Sequence, residues 1–249
     1  IYVDDMTLIK TEALILRTIP FRESSSIVRM FTREQGKVSV IAKGARRLKS
    51  TLRGFLESLN YVEAIYYYKS TRDIQTLSKI DLIHSYFSNV PDIECNILGQ
   101  ALLETIDKVV HDHQHDHEIF DSSVQHLGFM DHEPEKCKVA FIRFLFTVTD
   151  ILGYRLDVNS CPRCRTQLTS AVYDPGSARL ICVECGHHLS SGHRFTETDI
   201  GFLKDPAPPD SHLMANQDKI LRMLIHYLSY HLDIALNLKS LQLLSDLNI

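Results

Sequence analysis

Two Cys-x-x-Cys pairs limit most strongly what this chain can fold into. The first pair is Cys161 and Cys164, and the second, seventeen residues later, is Cys182 and Cys185. This spacing is typical of zinc ribbons, in which four thiolates surround one tetrahedral Zn²⁺. Four unligated thiols or two disulfides are the alternatives. Paired doublets at this spacing favour the metal, so we expect one bound zinc ion in an element spanning residues 156–192.

The same four thiolates argue against catalysis by the zinc ion. They fill the tetrahedron around the ion and leave no position for an activated water. The sequence also has no P-loop, no Gly-x-Ser-x-Gly elbow, no His-Glu-x-x-His, and no His-x-Glu of the kind that zinc deaminases use. We therefore expect the zinc to be structural and the protein not to be an enzyme.

The composition is that of an ordinary globular protein, with 44% hydrophobic and 23% charged residues in 249. No apolar run reaches the roughly 18 residues that a membrane span needs, and no secretion signal is visible. Four of the six cysteines lie in the metal pattern, which favours a reducing compartment. We expect Cys95 and Cys137 to be small buried hydrophobes and the protein to be cytoplasmic. Met6 has the character of a natural start, with residues 1–5 as leader or vector-derived residues.

The net charge of −4 conceals a division along the chain. Residues 1–80 hold 14 Lys and Arg against 8 Asp and Glu, whereas residues 81–249 hold 13 against 23. A basic first part joined to an acidic remainder indicates a polyanion-binding module attached to a part that meets other partners.

Five short segments in the first third of the chain have the residues and turn signals of β-strands. They are residues 11–18, 26–32, 37–42, 61–68 and 74–83. Gly36 predicts a tight turn between the second and third. Five strands with no long helix between them predict a small closed barrel of the OB type, with a generic five-stranded sheet as the alternative.

A basic run lies between the third and fourth strands. From residue 37 to residue 53 it has six basic residues and no acid, and Gly44 and Gly54 allow the backbone to approach a ligand closely. A solvated charged loop is the alternative, but cations with no neighbouring acids suit the neutralisation of phosphates. Phe21 and the tyrosines of residues 66–68 are candidates for base stacking, although strand alternation sends at least one of these tyrosines into the core.

Beyond residue 85 the periodicity becomes helical. Helices are predicted at residues 95–110, 119–130, 135–152, 196–203 and 217–236, with a stiff spacer at 205–209. Residues 238–247 form a further apolar helix or an exposed interaction surface. The alternating His and Asp residues at 111–117 resemble a metal-binding tract, but a hydrated loop is favoured there. His226 and His231, beside Tyr227 and Tyr230, are interpreted as packing residues.

Several segments together have the pattern of a known family. They are residues 11–18, the hairpin and basic run at 31–46, the two cysteine pairs, Tyr230-His231-Leu232 and residues 238–241. These segments resemble the RecO family of bacterial recombination mediators. The resemblance covers nearly the whole chain in the order of the family. One departure is Arg22, where many family members have glycine.

The resemblance implies an α+β protein in two domains: an OB fold at residues 6–85 and a helical domain at 86–249 that carries the four-cysteine zinc element. It implies binding to single- and double-stranded DNA, strand annealing, and work with RecR and the single-stranded-DNA-binding protein SSB to load RecA, in the bacterial cytoplasm near the nucleoid. It assigns DNA contact to Lys43, Arg46, Arg47, Lys49 and Arg53, with Arg22 and Arg29 as weaker candidates. A zinc-ribbon enzyme acting on RNA or nucleotides, or an adaptor that binds only proteins, remain the alternatives.

Overall fold

The computed structural model describes residues 6–89, 92–112, 114, 116–189, 194–204 and 216–247. The chain forms two compact units, one of residues 1–137 with 238–249 and the other of residues 138–237. The expectations for residues 1–5, for part of the 111–117 tract and for the spacer at 205–209 lie outside the described residues. Among the described helices, none is long and apolar enough to cross a membrane.

Five strands form a closed barrel in the first unit, as the strand pattern predicts. They are β1 (Thr7–Phe21), β2 (Ser25–Thr32), β3 (Gly36–Ala42), β4 (Asn60–Tyr68) and β5 (Ile74–Ser85). The long β1 pairs antiparallel with both β2 and β4, while β3 pairs parallel with β5 and closes the ring. The predicted α+β class is confirmed.

The alternation of side chains along these strands builds the core of the barrel. Val28 and Met30 of β2 face inward with Val38 and Val40 of β3, and all four are fully or almost fully buried. On β4, Tyr66 is buried while Tyr67 is exposed, because successive strand residues point to opposite faces.

Helices complete the first unit around the barrel. The short α1 (Leu52–Phe55) ends the basic run, and α2 (Ile93–Val109) and α3 (His117–His132) follow β5. Asp92 and Asp116 cap α2 and α3, each accepting a hydrogen bond from a backbone N–H in the first turn. At the other end of the chain, α7 (Lys239–Leu247) packs against α2.

The expectation of two buried thiols at Cys95 and Cys137 is wrong, because the structure joins them in a disulfide. Cys95 lies in the first turn of α2, and Cys137 is the first residue of α4 (Cys137–Ile151). Their Cα atoms are 5.4 Å apart, within the range that a disulfide requires. Both residues are buried, as predicted, but the proximity of two residues 42 positions apart is not visible in local sequence.

The second unit holds most of α4, a small sheet and two further helices. Its strands β6 (Ala171–Asp174), β7 (Arg179–Ile181) and β8 (Arg194–Phe195) form a sheet in the order β7-β6-β8, followed by α5 (Glu197–Lys204) and α6 (Gln217–Leu232). The helix predicted to reach residue 236 ends earlier because Asp233 adopts a left-handed conformation (φ 51°).

Candidate nucleic-acid interface and metal centre

The basic loop, residues 43–53, leaves the barrel after β3 and reaches α1. Its turns are closed by hydrogen bonds from Arg47 N–H to the Gly44 carbonyl and from Ser50 N–H to the Arg47 carbonyl. Gly44 has φ +74°, a conformation that glycine adopts without strain. The glycine in this run therefore allows the tight turn that presents the following cations.

The five cations assigned to DNA contact are all exposed in this loop. They are Lys43, Arg46, Arg47, Lys49 and Arg53. Among the residues that the structure describes, none of the five has a carboxylate partner within ion-pair distance. Their charge therefore reaches solvent without neutralisation, which is the condition for attracting a polyanion.

Arg22 lies beside the basic loop. The Arg46 guanidinium donates a hydrogen bond to the Arg22 carbonyl (3.0 Å), and Arg46 N–H donates another to the Ser24 carbonyl (3.0 Å). Arg22 has φ 53° and holds its guanidinium over the Phe21 ring, 5.1 Å from the ring centre. Glycine suits this left-handed position best, which gives a physical reason for the glycine of the family pattern but not for the arginine found here.

Arg29 lies elsewhere, in a network of charges between β2 and the end of α2. Its Nε is 2.6 Å from an Asp107 carboxylate oxygen, and its side chain is only 18% exposed. Burial lowers the pKa of Arg29, but the carboxylates of Asp107 and Asp112 raise it above its ordinary value. An arginine held by two carboxylates is poorly available to phosphates, whereas the five cations of the basic loop are exposed.

Lys37 belongs to this network and not to the basic loop. Its side chain is 4% exposed, and its Nζ donates to the Asp107 carbonyl at 2.5 Å. Burial lowers the pKa of Lys37, whereas Asp112, at 3.6 Å, favours its charged form. Partial burial would raise the pKa of Asp112, but Arg29 and Lys37 lower it. The sequence analysis missed this network because its cations and its carboxylates are 70 to 83 residues apart.

The four cysteines of the paired motifs meet in the second unit. Their sulfur atoms all lie within 4.8 Å of one another, and the Cys164 and Cys182 sulfurs are 3.5 Å apart. Metal–sulfur bonds of about 2.3 Å in a tetrahedron place sulfurs about 3.8 Å apart. The donor set therefore fits a tetrahedral metal ion.

Each Cys-x-x-Cys pair lies in a tight, hydrogen-bonded turn, which we call a knuckle. Cys161 N–H donates to the Thr166 carbonyl (2.8 Å), and Gly186 N–H donates to the Cys182 carbonyl (3.0 Å). A Cβ at Gly186 would meet the Val172 side chain at 2.9 Å, so only glycine fits there. Arg163 joins the two knuckles by donating to the Cys185 carbonyl (3.1 Å).

The acidities of these thiols also favour a cation. Burial would raise the pKa of Cys161, but the backbone N–H groups of Cys182 and Cys164 lower it to about 6. The neighbouring sulfurs, that of Cys182 first, raise the pKa of Cys185 to about 12. Four sulfurs this close cannot all ionise because of their mutual repulsion, and a divalent ion removes that repulsion.

Comparison with known families identifies the chain over almost its full length. The model described as Recombination protein O N terminal matches residues 6–86, and the one described as Recombination protein O C terminal matches residues 90–242. The chain belongs to the RecO family. The resemblance seen in the sequence is thereby confirmed, and the chain is placed among DNA repair proteins.

Several relatives named DNA repair protein RecO share this similarity. The one from Chlorobium limicola is 27% identical over 244 residues, which cover 91% of this chain and 93% of the relative. The one from Pelodictyon phaeoclathratiforme is 32% identical over 165 residues, covering 66% and 63%. The one from Salinibacter ruber is 35% identical over 104 residues, covering 42% and 40%.

Proposed function

We propose that this RecO-family chain is a non-enzymatic DNA-binding mediator of recombinational repair. The observation that carries the proposal is the basic loop, with five exposed cations and no described carboxylate pairing with them. Cations of this kind bind the phosphate backbone and release its counterions, so they bind DNA of any sequence. Binding that ignores sequence is what strand annealing requires, since either strand of any pair must be held.

We further propose that Arg22 extends the basic loop and that the loop binds both single- and double-stranded DNA. The hydrogen bond between Arg46 and the Arg22 carbonyl supports one continuous surface. The exposed Tyr67 lies on the outer face of the barrel and is the candidate among the three tyrosines for contact with a base, because Tyr66 is in the core. Arg29 contributes to the fold through Asp107 instead of to the interface.

The metal in the second unit is, in this proposal, one structural Zn²⁺. Cys161, Cys164, Cys182 and Cys185 would hold it, and thiolate donors in this number select zinc over harder cations. When bound, the ion neutralises the four thiolates and ties two loops together. A zinc enzyme acting on nucleotides would need an open position on the metal, and four sulfur ligands argue against one.

Family membership supports a proposal about the partners. We propose that the chain works with RecR and with SSB-coated single-stranded DNA, that it promotes the loading of RecA, and that it acts in the bacterial cytoplasm near the nucleoid. The barrel carries the DNA surface in this scheme, and the predicted functional division between residues 6–85 and 86–249 stays part of the proposal.

The decisive experiment reverses two loop charges. Arg46→Glu with Arg47→Glu should lower the affinity for single- and double-stranded oligonucleotides alike by more than about tenfold, because two cations that bind phosphates are removed. The slope of log affinity against log salt should become shallower by about 0.7 for each single-strand phosphate that the variant no longer neutralises. Annealing of SSB-coated strands should fall in parallel.

A matched control changes the net charge equally at cations that already have partners. Lys10, 2.9 Å from Glu63, and Lys79, 2.5 Å from Asp81, serve this purpose as the Lys10→Glu, Lys79→Glu double variant. This variant should bind DNA almost as the unmodified chain does. Equal decreases in the two double variants would mean that overall charge, and not the loop, governs binding. No decrease in either would leave an adaptor that binds only proteins as the better account.

A further inference from the structure

The solvent-facing side of α6 carries three residues one helical turn apart that suit nucleic acid. Arg222, His226 and Tyr230 are all exposed and follow one another at intervals of four residues, so they lie on one face of the helix. We call Arg222, His226 and Tyr230, together with Tyr154 and His231, the α6 stripe. All five belong to the second unit, whereas the basic loop belongs to the first.

The rings of the α6 stripe form a continuous series. Tyr154 stacks on His231 with ring centres 5.2 Å apart, and Tyr230 meets the same His231 ring edge-on at 5.4 Å. His226 lies nearly parallel to Tyr230 at 6.4 Å. Tyr154 is 36% exposed and Tyr230 is 50% exposed, so each keeps ring surface open to solvent. Four rings held against one another in this way present stacking surfaces without the cost of ordering free side chains.

A buried tyrosine orients the imidazole of His226. The hydroxyl of Tyr173 is 2.8 Å from His226 Nδ1, and burial raises the pKa of Tyr173, so it remains a protonated donor. If the hydroxyl donates to Nδ1, the proton of neutral His226 sits on Nε2. Because His226 is exposed, this N–H is available to an acceptor from outside the protein.

The charges around the stripe favour an anionic partner. Arg179 is exposed on β7 beside Leu180, the cross-strand partner of Tyr173. Burial and then the positive charge of Arg179 lower the pKa of His231, which favours the neutral form of its ring. Arg222 adds a second exposed cation.

The nearby carboxylates are engaged elsewhere. Asp218, one helical turn before Arg222, is 3.3 Å from Lys138, and Asp174, across the sheet from Arg179, is 3.4 Å from Arg163. Asp150 is paired with Arg155 at 3.3 Å, and Asp233 closes the end of α6.

We propose that the α6 stripe is a second binding surface for single-stranded DNA, with bases stacked on Tyr154 and Tyr230 and phosphates held by Arg222, Arg179 and His226. The inference rests on the proposed function of DNA binding and adds a second site to it. In the described part of the second unit, Tyr154 and Tyr230 are the exposed large hydrophobic side chains, and both are aromatic. Exposed rings without exposed aliphatic neighbours suit bases better than the apolar side chains of a peptide.

A surface in each unit gives the chain a way to hold two strands. The basic loop contacts only phosphates and accepts a strand in either form, whereas stacking on the α6 stripe requires bases that are not paired. A chain with both surfaces can carry one strand on each during annealing. The stripe therefore determines the preference for single strands, and the loop determines affinity for DNA in general.

The test replaces the two exposed rings in the full chain. Tyr154→Ala with Tyr230→Ala should lower the affinity for a single-stranded oligonucleotide by about tenfold or more, because each stacked base contributes on the order of 1–3 kcal/mol. Affinity for a duplex of the same length should change by less than about twofold. A 2-aminopurine base in the oligonucleotide should lose the fluorescence quenching that stacking produces. The control, Tyr154→Phe with Tyr230→Phe, keeps the rings and should retain both affinity and quenching.

The outcomes separate this inference from the proposed function. If the alanine variant melts like the unmodified chain but keeps its single-strand affinity and quenching, the stripe is not a DNA surface, whatever the loop does. Equal decreases for single strands and duplexes would also overturn the inference, as would unchanged DNA binding together with weaker binding of an acidic peptide. If the alanine variant loses single-strand affinity while reversal of Arg46 and Arg47 has no effect, the stripe stands and the loop fails. Arg222→Ala should lower the salt dependence without changing the quenching.

Discussion

Asp107 shows how a single carboxylate can order several cations. Arg29 Nε lies 2.6 Å from it, Lys37 Nζ lies 3.5 Å from the same oxygen, and Arg17 lies 3.8 Å from the other. The ammonium of Lys37 is nearly removed from water, so its charge depends on partners in the protein. Asp107 therefore attaches the end of α2 to β2 and β3 by charge, in addition to apolar packing.

Removal of this carboxylate should destabilise the first unit. We expect Asp107→Ala to lower the free energy of unfolding by about 3 kcal/mol. The substitution removes a carboxylate that pairs with Lys37 and Arg29, and the charges of both side chains stay largely buried. Asp112→Ala is the matched control, since that side chain is 58% exposed and its removal should cost less than about 1 kcal/mol. Urea denaturation of both variants measures the difference. Similar destabilisation of the two would show that Asp107 has no special role.

Gly36 carries a second constraint at the scale of one residue. It has φ +65° at the β2–β3 turn, and a Cβ there would overlap the backbone carbonyl of Gln114. We expect Gly36→Ala to destabilise the chain by about 2 kcal/mol or more, because alanine disfavours this conformation and the neighbour is rigid backbone. Gly54→Ala, where a Cβ meets nothing within 4 Å, should change stability by less than about 1 kcal/mol. Thermal melting of the pair tests this, and a smaller effect at Gly36 than at Gly54 would contradict it.

At the scale of elements, the strands follow local pattern closely and the helix ends do not. All five predicted strands are present, because β-branched alternation and the Gly36 turn are local signals. The apolar pattern of the last long helix predicts an end at residue 236, yet the helix ends at Leu232 where Asp233 turns left-handed. Apolar periodicity continues past that point, so periodicity alone could not locate the end.

The link between α2 and α4 is the element-scale feature with the largest expected effect on stability. Cys95 and Cys137 close a long loop, and both sulfurs lie within 3.5 Å of the Met130 carbonyl, which can accept a hydrogen bond from a thiol. The Met130 carbonyl can therefore accept a hydrogen bond from either thiol when the disulfide is reduced, so the buried site accommodates both the oxidised and the reduced cysteines. In a reducing compartment the reduced form would be populated.

Reduction should thus lower stability without unfolding the chain. For a sequence separation of 42 residues, the chain-entropy model gives the disulfide about 4 kcal/mol of stabilisation. We expect the midpoint of thermal unfolding of the first unit to fall when reductant is added. The Cys95→Ala, Cys137→Ala variant should have the lower midpoint without reductant, and reductant should not change it. If Cys95 and Cys137 are both alkylated when the untreated protein is unfolded in denaturant, and the midpoint is insensitive to reductant, the link is refuted.

At the scale of the molecule, the two units differ in what stabilises each of them. The first has a closed barrel with a large apolar core, and α7 returns from the end of the chain to pack on α2. The second has small strands of two to four residues around the cysteine cluster. We expect the region around the cysteine cluster to depend on the proposed metal, because the binding free energy of a bound ion becomes folding free energy.

Chelation of the proposed zinc should therefore affect the units unequally. We expect amide protons in residues 156–189 to exchange with solvent much faster after chelation, while those of β1 to β5 keep their protection. Cys161→Ser with Cys182→Ser should reproduce this effect and abolish metal content, whereas Cys95→Ala should leave metal content intact. Hydrogen exchange with metal analysis measures both. Unchanged exchange and metal content in the double serine variant would disprove a structural metal.

Much of the molecule could be read from local patterns. The four cysteines, the basic loop and the five strands are each encoded within a few tens of residues by spacing, charge or alternation, and the structure has them where the patterns indicated. Such features depend on backbone geometry and composition, which neighbouring residues specify. The family itself was recognisable from the same segments.

Contacts between distant residues were decided by folding. Arg29 pairs with Asp107, Cys95 is bonded to Cys137, and Tyr154 stacks on His231. The two members of each pair lie between 42 and 78 positions apart in the sequence. The sequence shows that such side chains are charged, small or aromatic, but local patterns do not show which of them are in contact. The closing of the barrel and the packing of helices determine the partners, so Arg29 pairs with Asp107 and the ring of Tyr154 stacks on that of His231.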